Sequence, residues 1–180
     1  MPRRVLLDTD PGIDDSLAIL LALASPEIDL AGVGVTGGNC PLEDGVRNAL
    51  NVLAVANRSD MPVFSGIGLP LIRPPFTAPG THGDTGLGYA RLPASPASQA
   101  NEHAVDSIIR EIMAHPGEVT LVAVAPLTNV AVALRKEPRI IQNVREVIIM
   151  GGALRADGNT TSLAEFNFYV DPHAAHIVLE

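Results

Sequence analysis

Four short apolar runs with no polar residue in their middles constrain this chain most. "RVLLD" (residues 4–8), "IDLAGVGVT" (28–36), "VTLVAVA" (119–125) and "REVIIMGG" (145–152) are rich in Val, Ile and Leu and lack the polar alternation of a half-solvated strand. Strands of this kind are buried on both faces. Between them lie segments with helical character. "DDSLAILLALASP" (14–26) starts with acids and ends at a Pro, which suits a helix from its first turn to its stop. "PLEDGVRNALNVLAVANR" (41–58), "NEHAVDSIIREIMAH" (101–115), "LTNVAVALRKEP" (127–138) and "DPHAAHIVLE" (171–180) follow the same logic. "MPVFSG" (61–66) reads as a further short strand. Strands alternating with helices predict one α/β domain over residues 1–180, with an open, mostly parallel sheet and helices on both faces.

Composition supports a packed core and excludes several partners. The chain has 180 residues, enough for a single substantial core. Aromatics are only 3% and Trp is absent, so Val, Leu, Ile and Ala must fill that core. A formal net charge of −8 argues against nucleic acid and anionic membranes as partners. One cysteine, Cys40, permits no internal disulfide and suits a reducing compartment. The longest strongly apolar stretch, "LAILLALA", is too short to span a bilayer. The expectation is a soluble, cytoplasmic protein. Residues 66–98 are rich in Pro and Gly, and a loop that long in a compact domain is usually functional or mobile.

In open parallel sheets, ligands bind at the carboxyl ends of the strands. The first such end reads "DTDPGIDD", with Asp8, Asp10, Asp14 and Asp15 inside eight residues. Two follow the strand and two open the next helix, whose dipole offsets only about 0.3–1 kcal/mol of charge. Four acids meeting in one crevice call for a hard divalent cation with oxygen ligands. Other strand ends add polar groups: Asn39 in "VTGGN", the carbonyls before Pro126, and Asn159, Glu165 and Asn167 beyond "IMGG". Such groups suit vicinal hydroxyls, as in a sugar. His82 in the long loop is equally consistent with a structural role.

Together, "DTDPGIDD", "VTGGN", "HGDTGLG", "APLTNVA", "IMGG" and "AEFNFYVDPHAA" resemble the inosine–uridine-preferring nucleoside hydrolase family, from the first strand to the last residue. The resemblance implies hydrolysis of the N-glycosidic bond of ribonucleosides to base and ribose, a role in purine and pyrimidine salvage, and dimers or tetramers. It also implies one Ca2+ ion. Asp10, Asp15 and the backbone carbonyl of Val124 would be its ligands, with Asp10 taking a proton from its water. Asp14 and Asn167 would hold ribose hydroxyls with Asn39 nearby. Asn159 and Glu165 would bind the 5′-hydroxyl side, His82 and Met150 would line the ribose and base pocket, and Asp8 would orient the loop. The family's later part supplies a further Asp ligand and a His near the base. Residues 1–180 alone are therefore expected to hydrolyse poorly and to self-associate. Two alternatives are a ribose- or calcium-binding module without turnover and a DxD-type phosphatase using Asp8, Asp10 and Thr36. The latter needs a lysine at a strand end, and the only one is Lys136, in a helix.

Overall fold

A computed structural model describes residues 1–180. The predicted strands form one sheet of β1 (Arg3–Thr9), β2 (Ile28–Val35), β3 (Val63–Ser65), β4 (Val119–Ala123) and β5 (Glu146–Ile149). The spatial order is β3-β2-β1-β4-β5, and every pairing is parallel. β1 lies at the centre, and the chain winds outward from it in both directions. The predicted α/β class, open parallel sheet and two helical layers are all present.

Each face buries its own set of apolar side chains, because alternate strand residues point to opposite faces. Val5 and Leu7 of β1 pack with Ile19 of α1 (Ile13–Ala24) and with Val46, Ala49 and Val52 of α2 (Leu42–Val55). Leu6, between them, packs on the other face. It joins a cluster with Ile108 of α4 (Ala104–Ala114), Val130 of α5 (Thr128–Lys136) and Ala174 of α8 (Pro172–Leu179). No helix is long and apolar enough to cross a membrane.

Three further short helices appear where the sequence pattern gave none. They are α3 (Pro79–His82), α6 (Ile140–Asn143) and α7 (Phe166–Val170). At four or five residues they are too short to show a helical period, and an isolated helix of that length is unstable in water. A local cap starts α7: the Glu165 carboxylate accepts from the amides of Asn167 and Phe168. The long loop is likewise tied down. Asn48 of α2, fully buried, donates to the carbonyls of Pro11 (3.0 Å) and Thr85 (2.7 Å).

One side chain joins the carboxyl ends of three strands. Asn129, in the first turn of α5, donates to Asp8 Oδ1 at 2.9 Å and to the Val35 carbonyl at 3.2 Å. Its Oδ1 accepts from the Ile67 amide at 2.9 Å, just beyond β3. Asn129 itself is completely buried, as are its bonds to Asp8 and Val35. Removing a partner from a buried polar group costs about 1–3 kcal/mol. We expect Asn129→Ala to lower the unfolding free energy by that order, read as a lower urea midpoint at an unchanged slope. An unchanged midpoint would show that the amide contributes nothing to holding the strand ends together.

Candidate active site

The candidate site is built on the turn between β1 and α1. Thr9 closes the strand, Pro11-Gly12 breaks it, and α1 begins at Ile13. The four acids of this stretch divide into three environments rather than meeting in one crevice. Asp8 sits below the cleft against Asn129, with Oδ2 buried and unpartnered. Asp10 and Asp15 are both buried, Asp15 in the lining of the cleft and Asp10 outside it. Asp14 projects to solvent with 82% of its side chain exposed. The reason is geometric: Asp8 is still inside the strand, whereas Asp14 lies on the outward side of the first turn of α1, whose Asp15 and Ser16 turn inward.

Donors from several elements hold the two buried acids. Asp10 Oδ2 accepts from the Asn39 amide at 2.7 Å, while Oδ1 has no partner. Asp15 Oδ1 accepts from Thr9 Oγ1 at 2.7 Å, and its Oδ2 accepts from the Gly12 amide at 3.0 Å and Asn39 Nδ2 at 2.8 Å. Asn39 also donates to the Asp10 carbonyl at 3.2 Å. Two glycines permit this closeness. A Cβ at Gly38 would lie 2.1 Å from Asp10 Oδ2, and one at Gly12 would lie 2.8 Å from both Asn39 Nδ2 and His82 Nδ1.

The cleft above has a volume of about 270 Å³. Asp14, Asp15, Asn39, His82, Val124 and Met150 line it, with Asn159, Glu165 and Asn167 on the far wall. The residues singled out in the sequence thus converge on one place, with Asp10 just beneath. Several of them also bond to the protein. His82 Nδ1 accepts from the Ile13 amide at 3.2 Å, so the ring's other nitrogen is left for the cleft. Glu165 caps α7 and accepts from the Gly152 amide at 2.8 Å. Asn159 Oδ1 accepts from the Phe166 amide at 2.8 Å. Asn167 Nδ2 donates to the carbonyls of Val124 (3.0 Å) and Met150 (3.1 Å), linking the ends of β4 and β5. Thr9 and Asn129, which the sequence reading left unassigned, hold two of the buried acids.

Burial dominates the electrostatics. It pushes Asp10 well above the usual carboxylate range, helped by the negative charge of Asp15. It raises Asp15 too, opposed by the bonds from Thr9 and Gly12. Asp8 is pushed up to about 7 by burial, against the pull of Asn129. A buried carboxylate with an unpartnered oxygen, a second buried carboxylate and a backbone carbonyl are all hard oxygen donors. They fit a hard cation in chemistry, although no three acidic, His or Cys side chains gather as a ligand cluster.

Residues 5–180 match the model of the inosine-uridine preferring nucleoside hydrolase family. The chain is 46% identical over 180 residues to the inosine-uridine preferring nucleoside hydrolase of Crithidia fasciculata, covering 99% of this chain and 57% of that protein. It is 42% identical over 176 residues to a pyrimidine-specific ribonucleoside hydrolase of Escherichia coli, covering 98% of this chain and 56% of the relative. Its fold superposes on a purine-preferring ribonucleoside hydrolase from Gardnerella vaginalis with a TM-score of 0.94 and 37% identity, over 98% of this chain and 57% of that one. The chain thus spans little more than half the length of the relatives it matches.

The raised carboxyls make a pH prediction whose sign is fixed. A carboxyl with a folded pKa above its unfolded value binds protons more readily when folded. Its stabilising effect is complete below the unfolded pKa, near 4, and is lost as pH rises through the folded value, about 7 for Asp8. With no cation bound, the melting temperature should therefore fall as pH rises from 5 to 8. Each such proton contributes about 1.4 kcal/mol per pH unit. Asp8→Asn should flatten part of that slope. A melting temperature rising over this range would contradict the assignment.

Proposed function

Since the chain belongs to the inosine-uridine preferring nucleoside hydrolase family, we propose that its cleft binds a ribonucleoside and serves hydrolysis of the N-glycosidic bond to free base and ribose. The observation that carries this reading is Asp10 Oδ1. It is a carboxylate oxygen, buried and without a protein partner, under a cleft walled by hydroxyl-binding side chains.

In this reading Asp10 accepts the proton of the attacking water, since it alone among the buried pair has an uncommitted oxygen. Asp10, Asp15 and the carbonyl of Val124 would hold Ca2+, which when bound lowers the pKa of a water. Asp14 at the rim and Asn167 on the far wall hold ribose hydroxyls, and Asn39 keeps Asp10 and Asp15 in place. Asn159 and Glu165 face the 5′-hydroxyl, and His82 and Met150 border sugar and base. Departure of the base leaves positive charge on the ribose ring, which the carboxylates around it stabilise. Assembly into dimers or tetramers and service in nucleoside salvage belong to the same proposal.

The phosphatase alternative finds no support in the geometry. Asp8 is fully buried against Asn129 rather than open to the cleft. Lys136 is engaged in an ion pair with Asp106 at the exposed end of α5.

Two measurements test the proposal. By titration calorimetry the chain should bind calcium, and Asp10→Ala/Asp15→Ala should not. Equal binding by both would refute the ligand assignment. A site that bonds a hydroxyl rejects an analogue lacking it by up to about 10⁴-fold. Uridine should accordingly exceed 2′-deoxyuridine in kcat/KM by orders of magnitude, and Asp14→Ala should shrink that ratio. Comparable values for the two nucleosides would remove the hydroxyl-binding roles.

A further inference from the structure

Asn48 is a polar residue on an apolar face. It belongs to α2, where Val46, Ala49, Val52 and Leu53 around it pack into the core, and it is only 3% exposed. An amide nitrogen carries two protons. One goes to the Pro11 carbonyl at 3.0 Å and the other to the Thr85 carbonyl at 2.7 Å. Each acceptor belongs to a segment that borders the cleft.

Pro11 and Gly12 share a peptide unit, and peptide units are planar. Asn48 fixes its carbonyl, while its N–H, on the opposite edge, donates to Asp15 Oδ2 at 3.0 Å. The direction of the carbonyl therefore sets the direction in which the amide meets Asp15. The next peptide unit carries the Ile13 amide, which donates to His82 Nδ1 at 3.2 Å. Two consecutive peptide units are thus aimed at Asp15 and at His82, and Asn48 orients the first of them.

The Thr85 contact reaches the same histidine from the other side. The Gly88 amide donates to the His82 carbonyl at 2.7 Å, which closes residues 82–88 into a turn. Thr85 and Gly86 lie in its middle. Gly86 has φ +92°, and a Cβ there would lie 2.8 Å from Asn48 Nδ2 and 3.0 Å from the Pro11 carbonyl oxygen. The turn rests directly on the bond between Asn48 and Pro11, and only glycine permits that approach. His82 is consequently held twice, by its ring on the Ile13 amide and by its turn on Asn48.

We propose that Asn48 is a positioning residue for the candidate site. It lines no part of the cleft. Through the Pro11–Gly12 peptide it sets Asp15, and through Thr85 it sets the turn that carries His82, so that these two sides of the cleft are kept in register by one buried amide. The proposal rests on the function given above to Asp15 and His82. A side chain that served stability alone could bond any two buried carbonyls. These two belong to the units that orient a carboxylate and a histidine of the same cleft.

The test compares wild type, Asn48→Ala and Ile112→Ala. Ile112 lies in the core on the other face of the sheet, so its truncation lowers stability without touching either turn. Amide exchange and calcium affinity are measured equally far below each protein's melting temperature. In Asn48→Ala the Gly12, Ile13 and Gly88 amides should exchange at least about tenfold faster than in wild type. Calcium should bind it about tenfold more weakly, the low end for loss of a group that orients a metal's ligands. Ile112→Ala should match wild type in both. Wild type supplies a readout that does not depend on the variant folding. Calcium should shift the Asn48 side-chain amide resonances and slow exchange at Gly88 at least about fivefold. The proposal is overturned by exchange or calcium affinity in Asn48→Ala no different from Ile112→Ala, or by calcium binding to wild type without effect at Asn48 and Gly88. Wild type that binds no calcium refutes the ligand assignment instead, and the exchange comparison then decides the role of Asn48 by itself.

Discussion

Everything at the strand ends depends on keeping three carboxylates out of water. Burial opposes the charged form of Asp8, Asp10 and Asp15, and each is raised for that reason first. The protein answers with donors recruited from different elements. Asp8 receives Asn129 from α5, Asp10 receives the amide of Asn39 after β2, and Asp15 receives Thr9, Gly12 and Asn39. Every acid therefore ties β1 to a neighbour. The same bonds that reduce the desolvation cost fix the relative positions of β1, β2, α1 and α5 where the cleft opens. Gly12 and Gly38 complete the arrangement by leaving no Cβ in the way.

The donors are unevenly shared, and that unevenness has chemical meaning. Asp15 has a protein donor on each oxygen, so its orientation is fixed by the chain. Asp10 keeps one oxygen without a partner, pointing at nothing the chain supplies. A buried polar atom left alone is costly, so its place beneath a polar cleft asks for a ligand rather than for an accident of packing. His82 shows the reverse economy: one nitrogen orders the start of α1 while the ring still borders the cleft. Residues here hold the structure and face the substrate space with different atoms of the same side chain.

The sheet was legible because its strands are unbroken apolar runs, a pattern that only burial on both faces explains. The cleft was legible to the extent that it follows the rule that ligands gather at carboxyl ends of strands, which brings Asp10, Asn39, Asn167 and the carbonyls before Pro126 together; the family resemblance singles out Val124 among them. What the pattern could not reveal was set by tertiary contact. α3 and α7 are too short to carry a period, and α7 stands on a cap from Glu165. The separation of Asp8 from Asp10 depends on where β1 stops, a single residue's difference. Asn129 and Thr9 look like ordinary helix-start and strand residues. Asn48 did leave a signal, as a polar residue among Val46, Ala49, Val52 and Leu53 on the buried face of α2, but its partners lie 37 residues away on either side.

The cleft and the open apolar groove between α1 and β5 share a residue, and this links the chemistry to the architecture. Val124 lines both, and its carbonyl is bonded by Asn167 on the cleft side. Met150, which immediately follows β5, borders the cleft and is half exposed. The free edge of β5 therefore stands close to the wall of the candidate site. Charges in a site act more strongly once water is excluded, since the local dielectric falls. With the groove open, solvent reaches the back of β4 within one residue of the carbonyls that would face a cation.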